Sequence, residues 1–251
     1  MDLAGKAAFV TGGSGDIGRA IATALALAGV DIVVSYVSSA ERASSIVDAV
    51  QAIGRRGLAV PLDQRDPSAI GATFDKVVAA FNRIDILVNN AGWNIGIPFN
   101  DLNALTAEIW DQVLETNLRG PYLLARAFAP ALRRHKAGRI INIASLAGIA
   151  PGGSSIAYAS SKAGLIHLTH CLAVALAPDV TVNCIAPGLV EGTRMAERVP
   201  EEVKRRIRGQ TVLGRTASAE DIADQVVTFC RAESVTGQVL IVDGGSPLGM
   251  R

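Results

Sequence analysis

Tyr158 and Lys162 stand four residues apart, so a helix running through them places both side chains on one face. A phenol with an ordinary pKa near 10 is a poor acid–base catalyst at neutral pH. An adjacent ammonium favours the phenolate and lowers that pKa, which is the tuning that proton transfer needs. Lysine is scarce in this chain: Lys6, Lys76, Lys136, Lys162 and Lys204 are the only five among 24 Lys and Arg. A compact ammonium at position 162 therefore stands out against the guanidinium groups used elsewhere. Ser145, 13 residues before Tyr158, ends an apolar run of strand length, and Asn89-Asn90-Ala91-Gly92 ends another. Both ends belong to the carboxyl edge of an open α/β sheet, where ligands bind. Asn117 falls inside a long helical stretch, where its short amide is a mediocre helix former and a candidate kink.

A second group of residues suits phosphate chemistry. Gly13-Ser14-Gly15-Asp16-Ile17-Gly18 reads G-x-G-x-x-G directly after the first strand-like run and at the start of a helical one. There the glycines let the backbone turn tightly and approach a pyrophosphate at the positive end of the helix. An NAD site of this kind carries an acid about 20 residues on, at the end of strand two, for the ribose 2′-hydroxyl. Here that end reads Tyr36-Val37-Ser38-Ser39, with no acid. Without a carboxylate to repel it, a 2′-phosphate is admissible. Ser38 and Ser39 can donate to it, and Arg19 and Arg42 are the nearest cations. The expectation is NADP(H) as preferred cofactor, with NAD(H) possible.

The elements that must position these groups follow from hydrophobic patterning. Ala7 to Thr11, Asp31 to Tyr36, Leu58 to Leu62, Ile84 to Asn89, Arg139 to Ala144, Val180 to Ala186 and Val239 to Val242 read as strands. Their Val/Ile/Leu content without strict alternation suits a parallel sheet covered on both faces. Between them Ile17 to Ala28, Ala40 to Ile53, Pro67 to Ala80, Leu105 to Lys136, Tyr158 to Ala177 and Ala219 to Arg231 read as helices. Gly120-Pro121 should break the longest of these. The alternation predicts an α/β, Rossmann-type doubly wound parallel sheet of about seven strands with helices on both faces. One domain spanning 1–251 is expected. The charged, strandless segment at about 190–212 is the candidate substrate lid.

The 251 residues carry 49% hydrophobic and 19% charged side chains and a formal charge of +1. That balance suits a substantial core and removes the electrostatic argument for nucleic-acid or polybasic membrane binding. Cys171, Cys184 and Cys230 are odd in number and far apart, which fits neither a disulfide framework nor a zinc cage. With no signal-like start and no bilayer-length apolar run, a cytoplasmic protein is expected. His167 and His170 form H-x-x-H without an evident third ligand, so no metal is expected.

Together with Thr11-Gly12, Pro187-Gly188 and Val242-Asp243-Gly244-Gly245, these marks resemble the short-chain dehydrogenase/reductase family over nearly the whole chain. The 3-oxoacyl-acyl-carrier-protein reductase-like branch is nearest in pattern. The resemblance implies hydride transfer between a nicotinamide and a carbonyl or alcohol carbon, with Asn117, Ser145, Tyr158 and Lys162 as the catalytic set. It implies that Tyr158 gives the proton to the carbonyl oxygen, while Lys162 lowers the Tyr158 pKa and holds the nicotinamide ribose. Ser145 would orient the substrate oxygen and Asn117 would position a water. It implies cofactor contacts from Gly12, Ser14, Gly15, Asp16 and Ile17 at the phosphates, and from Tyr36, Ser38 and Ser39 at the 2′ position. Asp63 would meet the adenine, and Asn90, Ala91 and Gly92 the adenosine ribose. Pro187, Gly188, Val190 and Thr193 would lie at the nicotinamide. A homotetramer is implied, packed through the 118–135 and 158–176 helices and the C-terminal segment.

Two positions depart from the family pattern T-G-x-x-x-G-x-G and its later Pro-Gly-x-x-x-Thr. Asp16 stands where a glycine is usual, bringing a carboxylate to the phosphate loop unless it points outward or caps the helix. Gly192 takes the usual Thr place, with Thr193 next. Trp93, Asn94, Leu146, Ser155 and Leu189 follow strand ends and are expected to border the substrate. Their mainly apolar character predicts a neutral or amphipathic carbonyl compound. The leading reading is an NADPH-dependent ketone reductase. The alternatives are an NAD-linked dehydrogenase of a secondary alcohol, sugar or steroid, and a non-catalytic dinucleotide-binding sensor or scaffold, which the intact four-residue set argues against. Arg133, Arg134, His135, Lys136 and Arg139 read as a solvated basic helix end or as a dock for an acyl carrier protein.

Overall fold

The computed structural model describes residues 1–247. Seven parallel strands form one sheet: β1 (Ala7–Val10), β2 (Asp31–Tyr36), β3 (Gly57–Pro61), β4 (Ile86–Asn89), β5 (Gly138–Ile143), β6 (Val180–Pro187) and β7 (Val239–Val242). Their order across the sheet is β3-β2-β1-β4-β5-β6-β7. Succession reverses between β1 and β4, so the loops leaving those two strands diverge and open a crevice at the carboxyl edge.

The helices are α1 (Asp16–Leu27), α2 (Ala40–Ala52), α3 (Pro67–Phe81), α4 (Ala107–Leu114), α5 (Gly120–Arg133), α6 (Ile156–Leu176), α7 (Arg194–Glu197), α8 (Glu201–Gln210) and α9 (Ala219–Arg231). Side chains alternate along each buried strand and feed two cores. Ala8, Val10, Ile32, Val34, Ile86 and Val88 pack with Ile21 and Leu25 of α1, Ile46 of α2 and Val226 of α9. Ala7, Phe9, Val33 and Leu87 pack on the other face with Val77 of α3, Phe128 of α5 and Leu172 of α6. Phe9 and Phe128 stack with ring centroids 4.8 Å apart. Continuous apolar strands are therefore what a sheet covered on both sides demands.

The long helical stretch is divided by a five-residue π turn, Glu115–Arg119, between α4 and α5. Pro121 has no N–H for the carbonyl four residues back, and the Gly120 N–H reaches Glu115 O, five residues back. The strandless segment before α9 contains α7 and α8. A bidentate ion pair from Arg208 to Glu191, 2.7 Å in each arm, ties α8 to the end of the loop after β6. Among the described residues no helix is long and apolar enough to cross a membrane, and no three His, Cys, Asp or Glu side chains gather as metal ligands. Arg139, grouped above with the exposed basic helix end, is instead buried. It donates to the carbonyls of Cys230 (3.1 Å) and Gly138 (3.0 Å) because it opens a central strand rather than closing a helix.

Candidate active site

The crevice is built where the loops after β1 and β4 meet. Thr11 Oγ1 accepts the backbone N–H groups of Asn90 (3.0 Å) and Ala91 (2.9 Å). Asn90 Nδ2 in return donates to the carbonyls of Thr11 (2.9 Å) and Gly12 (3.2 Å). Gly12 has φ +61°, and a Cβ there would fall 2.9 Å from Ala91 Cα, so only glycine lets the two loops touch. At Gly18 a Cβ would meet the Gly12 carbonyl oxygen at 2.5 Å. Ser35, not singled out in the sequence, accepts the Gly12 N–H at 3.2 Å and ties the loop to β2. The side chain of Asn90, expected at the adenosine ribose, is thus occupied in bracing the loop.

The N-cap of α1 is Gly15, which has no side chain to satisfy the first-turn N–H groups. Those donors, at the positive end of a helix, suit a dinucleotide pyrophosphate. Asp16 turns away from them. Its carboxylate accepts Arg42 Nη2 at 2.9 Å and the backbone N–H of Arg194 at 2.9 Å. Burial works to raise its pKa, but those two partners outweigh it and hold the carboxyl below its ordinary value. At the end of β2, Ser38 is exposed and Ser39 half-buried, and no carboxylate stands between Tyr36 and Ser39. Asp63, expected at the adenine, is gripped by Arg65 through Nη2 at 2.6 Å and Nε at 3.0 Å, so it presents an ion pair rather than a free carboxylate.

Tyr158 and Lys162 lie on one face of α6, which starts at the N-cap Ser155. Ser145, just past the end of β5, lies beside Tyr158, where its hydroxyl works to lower the phenol pKa, and it caps the short 3-10 turn Leu146–Gly148. Lys162 Nζ donates to the Ile143 carbonyl at 2.8 Å and lies 5.7 Å from the Tyr158 ring centre. Burial lowers the Lys162 pKa to about 8. The Tyr158 pKa is raised, not lowered as anticipated from its lysine neighbour: burial dominates, and the Ser145 hydroxyl only opposes it. Lys162 is itself desolvated and bonded to a carbonyl.

Asn117 brings the π turn into the same place. Its Oδ1 accepts the Trp93 N–H at 2.8 Å, and its Nδ2 donates to Trp93 O at 2.9 Å and Ser161 Oγ at 3.1 Å. The side chain expected to hold a water is therefore occupied as a clamp on the loop after β4. Between the clamped residues, Gly92 passes so close that a Cβ would lie 3.4 Å from Asn117 Oδ1 and 3.6 Å from Lys162 Nζ. All four members of the catalytic set, and the loop after β4, are thus brought together.

The expected substrate contacts divide. Trp93 packs with Val113, Ala157 and Tyr158 at the site, and Asn94, Leu146 and Leu189 remain partly exposed around it. Ser155 is fully buried and its Oγ accepts the Tyr158 N–H at 3.1 Å, so it is a helix cap and not a wall of the cleft. Val190 forms a parallel bridge with Ala217. Thr193 caps α7 by accepting the Ala196 N–H at 3.2 Å and donates to Val190 O at 2.7 Å, which leaves its hydroxyl engaged. Pro187 and Gly188 end β6, where Gly188 abuts Asp243 of the terminal Asp243-Gly244-Gly245 turn.

Comparison with known proteins agrees with this arrangement. A family model described as short chain dehydrogenase matches residues 6–204. The chain is 36% identical to a 3-oxoacyl-acyl-carrier-protein reductase of Aquifex aeolicus, over 98% of both chains. It is 37% identical to the Escherichia coli protein of the same name, again over 98% of each. Among solved structures, a short chain dehydrogenase of Burkholderia cenocepacia in complex with NADP is 38% identical, with a TM-score of 0.89 over 98% and 99% of the two chains. An NAD+-bound xylitol dehydrogenase is 28% identical with a TM-score of 0.91, over 98% and 100%. A sheet reversing at β1/β4, a glycine loop on α1 and Tyr158 and Lys162 on α6 beside Ser145 have the same meaning as those full-length matches: this chain belongs to the short-chain dehydrogenase/reductase family and is an oxidoreductase acting on CH–OH and C=O groups.

Proposed function

We propose that this protein reduces a ketone, of the 3-oxoacyl thioester kind, to a secondary alcohol using NADPH. The observation that carries the reading is the meeting of Ser145, Tyr158 and Lys162 at the carboxyl edge of β5, with the Lys162 Nζ 5.7 Å from the Tyr158 ring centre. The glycine loop and uncapped α1 N-terminus suit the pyrophosphate, and the absence of a carboxylate at the end of β2 suits a 2′-phosphate near Ser38 and Ser39. The relatives named 3-oxoacyl-acyl-carrier-protein reductase and the NADP-bound neighbour support the same substrate and cofactor class. Bound NADPH supplies the hydride.

The protein's own part is proton delivery and alignment. Ser145 and Tyr158 hold the carbonyl oxygen between two hydroxyls, and Tyr158, kept protonated by burial, gives its proton as the oxygen gains charge. The Lys162 ammonium stabilises the tyrosinate left behind. Asn117 keeps the loop after β4 against this pair. The segment at about 190–212, braced within itself by Arg208–Glu191 and tethered to Asp16 through the Arg194 N–H, acts as lid. Trp93, Leu146 and Leu189 give the cleft an apolar border, which suits an acyl chain better than a polyol.

The chain acts as a homotetramer in this reading. Tyr122 on α5 and Val174 on α6 are exposed, and a groove of about 450 Å³, lined by Leu114, Leu118, Tyr122 and Leu168 together with the charged Asp111, Glu115 and Arg119, runs between α4, α5 and α6. The end of the C-terminal segment, 248–251, lies outside the described residues. Arg133, Arg134, His135 and Lys136 offer an exposed basic helix end to an acidic carrier protein.

The test is oxidation of NADPH and NADH, side by side, with acetoacetyl thioester. Turnover confined to NADPH is expected. Turnover confined to NADH, or to oxidation of a polyol, would overturn the reading. Replacing Tyr158 with Phe should lower kcat by about 10²- to 10⁴-fold with cofactor binding retained.

A further inference from the structure

Gln64 lies between β3 and α3, is only 4% exposed, and its amide reaches two elements of the site at once. Nε2 donates to Thr116 O at 2.6 Å and to Ala91 O at 3.4 Å. Thr116 stands in the π turn, where its carbonyl has lost both ordinary backbone donors. The Gly120 N–H, four residues on, goes to Glu115 O, and the next residue, Pro121, has no N–H. A partly buried carbonyl left without a donor is destabilising, and Gln64 supplies the donor. Room for it exists because residue 120 is glycine: a Cβ there would fall 2.8 Å from Gln64 Cγ, although the backbone at 120 has ordinary helical angles.

The bonds form a closed circuit. Gln64 holds Thr116, the adjacent Asn117 holds Trp93 through both ends of its amide, and Gln64 holds Ala91. Gly92 is the residue between those two attachments, and a Cβ on it would stand against Asn117 Oδ1 and Lys162 Nζ, so it is where the loop faces both. Gln64 Oε1 has no hydrogen-bond partner among the described residues, so the donor end is what this side chain contributes. We propose that Gln64 is a positioning residue, which sets the height of Gly92 above Lys162 by fastening the loop after β4 to the proline-induced π turn. The activity read in its test rests on the ketone-reductase reading given above.

The experiment is a double-mutant cycle with Gln64→Met and Pro121→Ala, reading kcat, KM for acetoacetyl thioester, the Kd for NADPH by fluorescence, and the pH profile of kcat. Q64M removes the donor at nearly constant volume and P121A returns an N–H to the π turn. Q64M should lower kcat about 10-fold and move the alkaline limb of the pH profile, with KM for the thioester within twofold, since a small displacement of positioned groups costs rate before affinity. The double variant should lose several-fold less than the product of the single effects. A folded Q64M with kcat and alkaline limb within twofold of wild type, or an additive cycle, would overturn the proposal. If Q64M does not fold, recovery of folded protein in Q64M/P121A supports it and no recovery overturns it. A wild type inactive with the thioester yet binding NADPH sinks the substrate reading alone. The cycle is then read in Kd, where an unchanged value in Q64M overturns the role of Gln64.

Discussion

The carboxylate of Asp16, at the first residue of α1, accepts the backbone N–H of Arg194, at the first residue of α7, 2.9 Å away and 178 positions along the chain. The residue that breaks the glycine pattern of the phosphate loop is thus the one that fastens the proposed lid segment to it. A hydrogen bond to a charged group contributes about 1.5–3 kcal/mol. Asp16→Gly, which restores the family pattern, should raise KM for the ketone roughly 10-fold. NADPH binding should not weaken, because a negative charge leaves the phosphate loop and Arg42 is released. Asp16→Asn keeps an acceptor for the Arg194 N–H and should recover most of the loss. Steady-state kinetics with both substrates varied would check this, and an unchanged ketone KM in the glycine variant would rule the tether out.

Lys162 makes the site sensitive to alkali in a stated direction. Its pKa falls from 10.5 to about 8 because it is buried, so reduction should decline as pH rises through about 8 and the ammonium is lost. Stability should move oppositely. The folded state holds this proton less tightly than the unfolded chain, so the penalty is complete below pH 8 and relieved between pH 8 and 10.5. That window corresponds to about 3 kcal/mol. Lys162→Met should therefore be inactive yet melt several degrees higher at pH 7, and thermal melts at pH 7 and 10 should show the gain shrinking with pH.

Ser155 distinguishes a cap from a substrate wall. Ser155→Ala removes the acceptor of the Tyr158 N–H at the start of α6 and should cost about 1 kcal/mol of stability. Ketone KM should stay within twofold. A large rise in KM without a change in denaturation midpoint would return Ser155 to the cleft.

The thiols should react unequally. Cys171 is exposed on α6, whereas burial pushes Cys184 to about 11 and Cys230 to about 12. An aromatic disulfide reagent at pH 8 should leave Cys184 and Cys230 unreacted in the native protein, reach Cys171 only as far as packing of α6 between subunits leaves it open, and titrate three thiols after denaturation. More than one fast equivalent in the native protein would contradict the burial of β6 and α9.

The parts legible in the sequence were those governed by local pattern. β2 and β7 and α9 begin and end where composition predicted, because β2, which is buried, and β7, a half-buried edge strand, are both short apolar runs and α9 carries its own Ser218/Asp221 capping box. The break near Gly120-Pro121 was legible too, but its form was not. A π turn arises from which carbonyl takes the Gly120 N–H, and the Thr116 carbonyl it leaves free is paired by Gln64, 52 residues away in the chain. Asp16 was recognisable as a departure, while its partners Arg42 and Arg194 were brought to it only by folding. Ser155 misled because position after a strand end does not say which way a side chain faces, and Arg139 because nearness in sequence to a basic helix end hid that it belongs to the buried strand β5. The Asp63–Arg65 pair lay two residues apart and could have been anticipated from that spacing.

The strand order also dictates what a ribosome would release first. β1 sits between β2 and β4, so everything needed for the nucleotide half of the sheet, β3-β2-β1-β4, has emerged once residue 89 is free. The face of that half beneath α1 is not closed until α9 arrives with Ile222, Ala223, Val226 and Phe229, more than 120 residues later. At about 5–20 residues per second this leaves the side of α1 that packs on α9 open for on the order of ten seconds. The nascent chain therefore carries a glycine loop and an apolar helix face well before it carries Tyr158, and its window for chaperone capture is set by the distance between α1 and α9.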